Sequence, residues 1–375
     1  LVGVRLISAP TTDAQEAQAM TYQMNPGSAT DRVHINSNSW GPADDGLTLE
    51  GPGPLTLAAF QSATTTGRGG KGTIFTWACG NGGTADNANY DGYANSRYTI
   101  AVAASGGAGQ QSSYSEQGSD VVVNTCSNYS GGGITTTDRT GSAGYEDPAG
   151  DYTYTFGGTS SACPLAAGCI ALMLQANPNL GWRDVQYILA NTSTKNSPAD
   201  AGWIVNGAGK KFNHKFGFGR LDATAAVAAA TTWVNVPAEA TPLTATESPN
   251  TAIPDNNATG ITRTLNISGS PNFKVEHVVV TVNATHTWRG DLEMFLTSPS
   301  GTVSNIAATR SDSGDNYSSW PFMTVANWGE NPNGIWSLKV ADRFASDTGT
   351  LNSWTITIYG YTVAVADAAD WALYE

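Results

Sequence analysis

Apolar and polar positions along the first two-thirds of the chain switch between two spacings. Residues 3–7, 33–36, 72–77 and 98–103 are short apolar runs bounded by turn residues, which predicts strands. Residues 54–65, 162–176, 181–190 and 221–231 carry the longer spacing of helices, with Asp222 placed to cap the last. Strand-like and helix-like segments taken in turn predict an α/β fold, a parallel sheet flanked by helices. Ligands of such sheets gather at the carboxyl ends of the strands, where Trp40 and Asn81 fall.

Past Val234 the pattern changes. Pro237, Pro242, Pro249 and Pro254, among many Thr and Asn, mark a linker and opening strands. Period-two runs follow at 273–282, 292–297, 336–340 and 354–359, which reads as an all-β sandwich or barrel. The expected organisation is a first domain over 1–232, a second over 233–361 and a tail, 362–375, that matches no known pattern. No internal repeat stands out.

Composition narrows the function. The chain has 375 residues, long enough for two domains and a substantial core. Only 13% of residues are charged, 42 are Gly and the net charge is −13, which argues for a turn-rich protein and against nucleic acid as a partner. An acidic surface suits a cationic substrate. No apolar run is expected to reach the roughly 18–20 residues that span a bilayer. No signal peptide opens the sequence, so any export signal is expected to be removed or to lie outside it. Cys79, Cys126, Cys163 and Cys169 are too few for a disulfide scaffold and show no zinc spacing. They are expected as free thiols, with one bridge left open.

Two segments carry candidate chemistry. Residues 156–165 read F-G-G-T-S-S-A-C-P-L and lead into an apolar helix. Ser160 at such a helix start is a plausible nucleophile, because glycines admit a substrate and the helix N-terminus favours developing negative charge. Pro164 is expected in the first turn, where its missing N–H costs nothing. Residues 77–83 read W-A-C-G-N-G-G, and Asn81 at a strand end can offer its amide to an oxyanion beside the Ser160 N–H. Taken singly, each segment also reads as an ordinary turn or cap.

Taken together, G-N-G and G-T-S-x-x-x-P are similar to the subtilisin-like serine proteases. S-W-G-P-A-D-D-G (39–46), N-Y-D-G-Y (89–93), Y-S-E (114–116), P-L-A-A-G (164–168), N-P-N-L-x-W-R-D-V-Q (177–186) and F-G-F-G (216–219) resemble the kexin/furin group of proprotein convertases. R-G-D-L (289–292), S-P-S-G-T (298–302), W-G-E-N (328–331) and G-x-W (334–336) resemble the P domain that follows the catalytic domain there. The resemblance implies a subtilisin-like parallel sheet followed by a jelly-roll-like P domain. It implies a secreted or periplasmic, calcium-dependent serine endopeptidase that cuts after basic, preferably paired, residues of peptides or proteins.

By the same resemblance, Asp44 and Asp91 contact the guanidinium of the residue before the scissile bond, and Asp44, Asp86 and Glu116 hold Ca²⁺. Clustered acids raise one another's pKa values and a bound cation relieves this. Glu16 and Glu50 match acids that engage a further basic residue upstream. Ser39 and Gly41 are expected to pair with the substrate backbone as an added strand. Trp40 reads equally as a binding residue and as a core aromatic.

One requirement of the family is missing. The triad needs a histidine base and an aspartate to orient it. His34, His214, His277 and His286 are the only histidines, and none matches the family's base. Residue 1 aligns downstream of both missing segments. The expectation is that the base lies on an N-terminal fragment of the same protein, absent from this chain or present in another. The alternative is a non-catalytic pseudoprotease that binds basic peptides.

Overall fold

The computed structural model describes residues 1–129, 132–146 and 150–363. The first module opens with α1 (Asp13–Thr21), β1 (Ile35–Asn38), α2 (Pro54–Gly70), β2 (Ile74–Ala78), β3 (Thr99–Ser105) and β4 (Val121–Cys126). A hairpin of β5 (Ile134–Thr137) and β6 (Tyr152–Phe156) follows, then α3 (Thr159–Ala176) and α4 (Trp182–Thr192). The short pair β7 (Ile204–Val205) and β8 (Lys211–Phe212) and helix α5 (Ala223–Thr231) complete it. Strands β1 to β4 pair in parallel in the order β1-β2-β3-β4.

Side chains along these strands alternate between two cores. Ile74, Ile100 and Val102 face Ala166, Ile170 and Met173 of α3 and Ile188 of α4. Phe75, Trp77 and Ala101 face Met20 of α1 and Ala59, Phe60 and Ala63 of α2. Helices therefore cover both faces, and β2 and β3 are buried along their whole length. Helix α3 spans 18 residues at a mean hydropathy of 1.3, long and apolar enough to cross a membrane by length and composition. That corrects the expectation drawn from the sequence. Half of the helix is buried, and it packs across all four parallel strands.

Three local expectations also differ. Residues 3–7 form no strand: they find no pairing partner among the described residues, and Val2, Val4 and Ile7 stay exposed. Strand β1 begins at Ile35, because the Val33 N–H turns back to the Gln23 carbonyl at 2.9 Å. Strand β4 and the hairpin lacked a signal in the pattern. A strand buried on both faces, as β4 largely is, carries no period of two. Asp222 caps α5 as expected, accepting from the Ala225 N–H at 2.9 Å.

The second module begins with β9 (Leu243–Glu247), β10 (Thr251–Ile253), β11 (Asn257–Ile267) and β12 (Phe273–His286). It continues with β13 (Leu292–Thr297), β14 (Val303–Ala307), β15 (Tyr317–Thr324), β16 (Gly334–Asp342) and β17 (Gly349–Thr362). Two antiparallel sheets, β10-β17-β12-β15 with β9 on β17, and β11-β16-β13-β14, enclose one core. Val278, Val280, Met294, Leu296, Trp336, Trp354 and Ile356 fill it from alternate positions. Of the expected tail, 364–375 lies outside the described residues.

The modules share a dense interface. Trp328 packs edge-on against Tyr187 and Phe218, with ring centres 4.9 and 6.1 Å away. Arg183 of α4 grips the buried Glu276 of β12 with two bonds, at 2.7 and 2.5 Å. The Met323 carbonyl accepts from Asn89 Nδ2 at 2.8 Å and Ser119 Oγ at 2.7 Å. Loops at the carboxyl end of the parallel sheet thus lean on the sandwich. All four cysteines are free thiols.

Candidate active site

Strand β6 delivers Phe156 to the start of α3, and the turn between them sets Ser160. Gly158 caps the helix at φ 75°, a left-handed backbone that favours glycine. Its N–H donates to Asn128 Oδ1 at 2.9 Å, and that oxygen is steadied by the Tyr114 hydroxyl at 2.6 Å. Ser160, in the first helical turn, is partly exposed, and first-turn N–H groups have no acceptor within the helix. Because α3 starts at Thr159, Pro164 lies beyond the first turn, contrary to expectation. Its missing N–H leaves the Ser160 carbonyl without a helical donor, and the Ser39 hydroxyl donates there instead, at 3.0 Å. Ser39 thereby ties the end of β1 to the nucleophile.

Asn81 stands beside it at the end of β2. Its Oδ1 accepts from Thr159 N–H at 2.8 Å and from the Thr159 hydroxyl at 3.0 Å. Its Nδ2 donates one hydrogen to Asp44 Oδ2 at 3.2 Å. An amide nitrogen carries two hydrogens, so one remains uncommitted. Trp40 is a packing residue: its ring meets Trp77 and Tyr93 at 4.8 and 4.9 Å, and its carbonyl accepts from Trp77 Nε1.

The acids gather around the same loop. Asp44 Oδ2 accepts from Asn81 N–H at 3.0 Å, Glu116 Oε1 from Gly82 N–H at 2.9 Å, and Asp86 Oδ2 from Gly46 N–H at 2.9 Å. Asp91 Oδ1 accepts from Tyr93 N–H at 2.7 Å, while Oδ2 lies so close to Gly41 that a Cβ there would stand 2.7 Å from it. Burial, then Asp86 and other nearby acids, push Glu116 up to about 10. Burial holds Asp91 well above the usual carboxylate range, with Asp120 and Asp44 adding to it. Burial also raises Asp86. As arranged, no three His, Cys, Asp or Glu side chains among the described residues form a set that could hold a metal ion.

Two upstream acids separate. Glu50 is exposed, and its carbonyl accepts from Gly92 N–H at 2.9 Å, beside Asp91. Glu16 is mostly buried: Oε1 takes the Thr11 hydroxyl and Oε2 the Tyr93 hydroxyl, both at 2.7 Å, which tethers α1 to the loop after Asp91. Asp120 was missed at the sequence level. It is fully buried at the start of β4, neither oxygen has a hydrogen-bond partner, and burial pushes it to about 7. Nothing local in S-D-V-V-V marks an acid that the fold encloses.

The histidines are engaged elsewhere. His34 precedes β1, at the opposite end of the sheet from Ser160, and takes a 3.4 Å contact from Arg68 Nε. His214, pushed down to about 4 by burial, accepts from Asn305 N–H at 3.0 Å. His277 bonds Gln186 at 2.8 Å and His286 bonds Asp342 at 3.2 Å, both inside the protein. No described residue therefore supplies an imidazole to Ser160.

Known proteins share this arrangement. The subtilase family matches residues 1–219, and the proprotein convertase P-domain matches 275–358. A "PC3-like endoprotease variant B" of Hydra vulgaris is 43% identical over 350 residues, 91% of this chain and 48% of its own. Neuroendocrine convertase 2 of Drosophila melanogaster is 39% identical over 381 residues, 96% of this chain and 55% of its own. Human proprotein convertase subtilisin/kexin type 5 is 40% identical over 378 residues, 96% of this chain and 19% of its own. The chain thus spans between about a fifth and about half of these relatives. The crystal structure of a serine protease of Aeromonas sobria has the same fold, at a TM-score of 0.83 and 21% identity, over 95% of this chain and 75% of that one. With a Gly-Thr-Ser helix start, an Asn-bearing strand end and a β-sandwich behind them, the chain belongs to the subtilase family, in the branch that carries a proprotein convertase P-domain.

Proposed function

We propose that this chain is part of a serine endopeptidase that cleaves after arginine or lysine, most readily in pairs. One observation carries the reading. Partly or fully buried carboxylates with no basic partner among the described residues, Asp91 and Glu116, lie on the loops that hold Asn81 beside Ser160. Such charge is costly unless a cation arrives, and a basic substrate side chain brings one to Asp44 and Asp91. Ser160 Oγ then bonds to the carbonyl carbon of the following peptide bond. The developing oxyanion takes hydrogen bonds from Ser160 N–H and Asn81 Nδ2. The Ser160 proton passes to an imidazole supplied from outside the described residues and on to the leaving amine. Water hydrolyses the resulting ester.

The cluster is also proposed to take calcium. Carboxylate oxygens suit a hard cation, although Asp44, Asp86 and Glu116 as arranged do not form a set that could hold one; Glu116 accepts from the Gly82 N–H and has no basic partner among the described residues. Occupation would replace present hydrogen bonds of these acids with contacts to the ion, and the ion would offset their mutual repulsion. Secretion or periplasmic location is proposed with the activity.

The acidic cluster by itself also fits a second reading, a pseudoprotease that binds basic peptides without cutting them. Both are tested together. The 375-residue chain should bind an Arg-ending chromogenic peptide without turnover. Adding a segment with the missing His and Asp, fused or co-expressed, should give turnover and fluorophosphonate labelling that Ser160→Ala abolishes. Cleavage by the Ser160→Ala protein refutes the mechanism, and inactivity with the added segment establishes the binding-protein reading.

A further inference from the structure

The R-G-D turn of the second module takes no part in the chemistry at Ser160. Arg289–Asp291 forms a single tight turn between β12 and β13. Gly290 lies against the segment between β14 and β15: its N–H donates to the Asp312 carbonyl at 3.0 Å, and its carbonyl accepts from Arg310 N–H at 2.9 Å. A Cβ there would stand 2.4 Å from the Arg310 carbonyl oxygen, so only glycine fits. Arg289 turns to Asp312, with Nε 2.6 Å from Oδ2. Asp291 is left without a partner. It is only 6% exposed, and its carboxylate has no hydrogen bond or ion pair among the described residues.

Asp291 lines a cavity of about 510 Å³ where the two modules meet. Small-ligand sites run to roughly 300–1,000 Å³. Trp288 and Phe344, 39% and 54% exposed, line it together with Asp347, and Thr84 and Ala85 line it from the first module. Arg310 also borders it, but its guanidinium is already paired with Asp86 at 3.4 Å and Asp312 at 2.5 Å. Asp342, whose charge acts on Asp291, is likewise taken up, by His286 at 3.2 Å and Phe344 N–H at 3.1 Å. Asp347 accepts from the Thr287 hydroxyl at 2.8 Å through one oxygen. Burial, then Asp342 and Asp347, raises the Asp291 carboxyl above its ordinary value. A buried carboxylate without a partner is costly, and a cation reaching it would offset that cost.

The walls decide which cation fits. Among the described residues no three acids are placed to hold a metal ion. A guanidinium suits the cavity: it is planar and weakly hydrated, binds a carboxylate through two parallel bonds and stacks on aromatic rings. We propose that this cavity is a second cation site, which takes the guanidinium of an arginine side chain or of a small arginine-like molecule, with Asp291 as its counter-charge and Trp288 and Phe344 as its walls. It is separate from the Ser160 site, since neither Asn81, Asp91 nor Ser160 lines it. Binding here is independent of peptide cleavage and of calcium.

The test is a titration of N-acetylarginine amide, followed by saturation-transfer NMR, into the 375-residue chain carrying Asp44→Asn and Asp91→Asn. Those two changes silence the substrate pocket proposed above. The double variant should still bind the amide, and the uncharged N-acetylcitrulline amide should bind at least about tenfold more weakly. Adding Asp291→Asn should weaken binding of the arginine compound about tenfold or more, because a charge-assisted pair becomes a neutral one. Trp288→Ala should weaken it about two- to fivefold. Asn removes a buried charge that has no partner, so Asp291→Asn should melt no lower than its parent, which separates a lost site from a lost fold. A pentapeptide with arginine at its centre and glycine elsewhere identifies the source. Tighter binding than that of the amide assigns the site to polypeptide arginine, and equal or weaker binding assigns it to a free small molecule. No binding in the double variant overturns the proposal, as does equal binding of the citrulline compound or undiminished binding in Asp291→Asn. Should Asp291→Asn fail to fold, Trp288→Ala decides, and unchanged binding there overturns the site.

Discussion

Replacing Asp91 by Asn isolates the charge that selects a basic residue. Asn keeps the shape and an oxygen for the Tyr93 N–H now at 2.7 Å, so the loop has no reason to move. What is lost is the negative charge of a carboxylate whose Oδ2 lies beside Gly41. Removing one partner of a desolvated ion pair costs about 2–5 kcal/mol. Asp91 is only partly buried, so the lower part of that range applies, about 2–4 kcal/mol, or roughly 30- to 1,000-fold in kcat/KM. Asp44 is exposed and its Oδ2 is shared with Asn81, so Asp44→Asn should cost less, about tenfold. The assay compares kcat/KM for peptides that differ only in Arg or Gln before the scissile bond, using the chain complemented with its base. Gln peptides should be cleaved equally by all three proteins. The pH dependence has a definite sign: burial raises the Asp91 carboxyl, and only the ionised form attracts arginine. Preference for Arg should therefore fade as pH drops through that raised pKa, and the Asp91→Asn protein should lack this decline. Undiminished selectivity in Asp91→Asn, or a larger loss in Asp44→Asn, would refute the assignment.

Three further outcomes follow from the same geometry. Glu116 titrates at 4.5 in its ordinary state and at about 10 when folded, so between these values the folded chain holds the extra proton and stability must fall as pH rises. Tm in EDTA should decline from about pH 5 to 9 and calcium should flatten the slope; a rising Tm contradicts this. Arg183→Met strands Glu276, which has no exposed surface, and should cost about 3–5 kcal/mol in urea unfolding. Adding Glu276→Met should recover most of it, and a single-variant cost below about 1 kcal/mol would mean that the pair is solvated. Asn81→Ala should lower kcat by about 10²–10³, the loss known for the corresponding donor of a related protease, with little change in KM. An unchanged kcat would remove Asn81 from the oxyanion hole.

Much of this protein was legible in its sequence, wherever the physics is local. Apolar spacing marked the helices and the sandwich strands, because 3.6- and 2-residue periods follow from backbone geometry alone. Gly157 to Ser160 and Gly80 to Gly82 marked the nucleophile and its partner, because close turns at element ends demand glycine. The tertiary structure decided what depends on contacts between distant residues. The sequence does not show that Glu16 is enclosed, because the contact comes from the loop after Asp91, which brings Tyr93 onto it. Pro164 looked like a first-turn proline; it instead opens the Ser160 carbonyl to Ser39, a bond across 121 positions. Asp120 carries no local sign of burial, and residues 3–7 carry no local sign that a strand partner is lacking. The Arg310–Asp86 pair spans 224 positions. Such a pairing is written in no window of the chain: a spacing specifies which face a residue occupies, and only the packed fold specifies what stands opposite it.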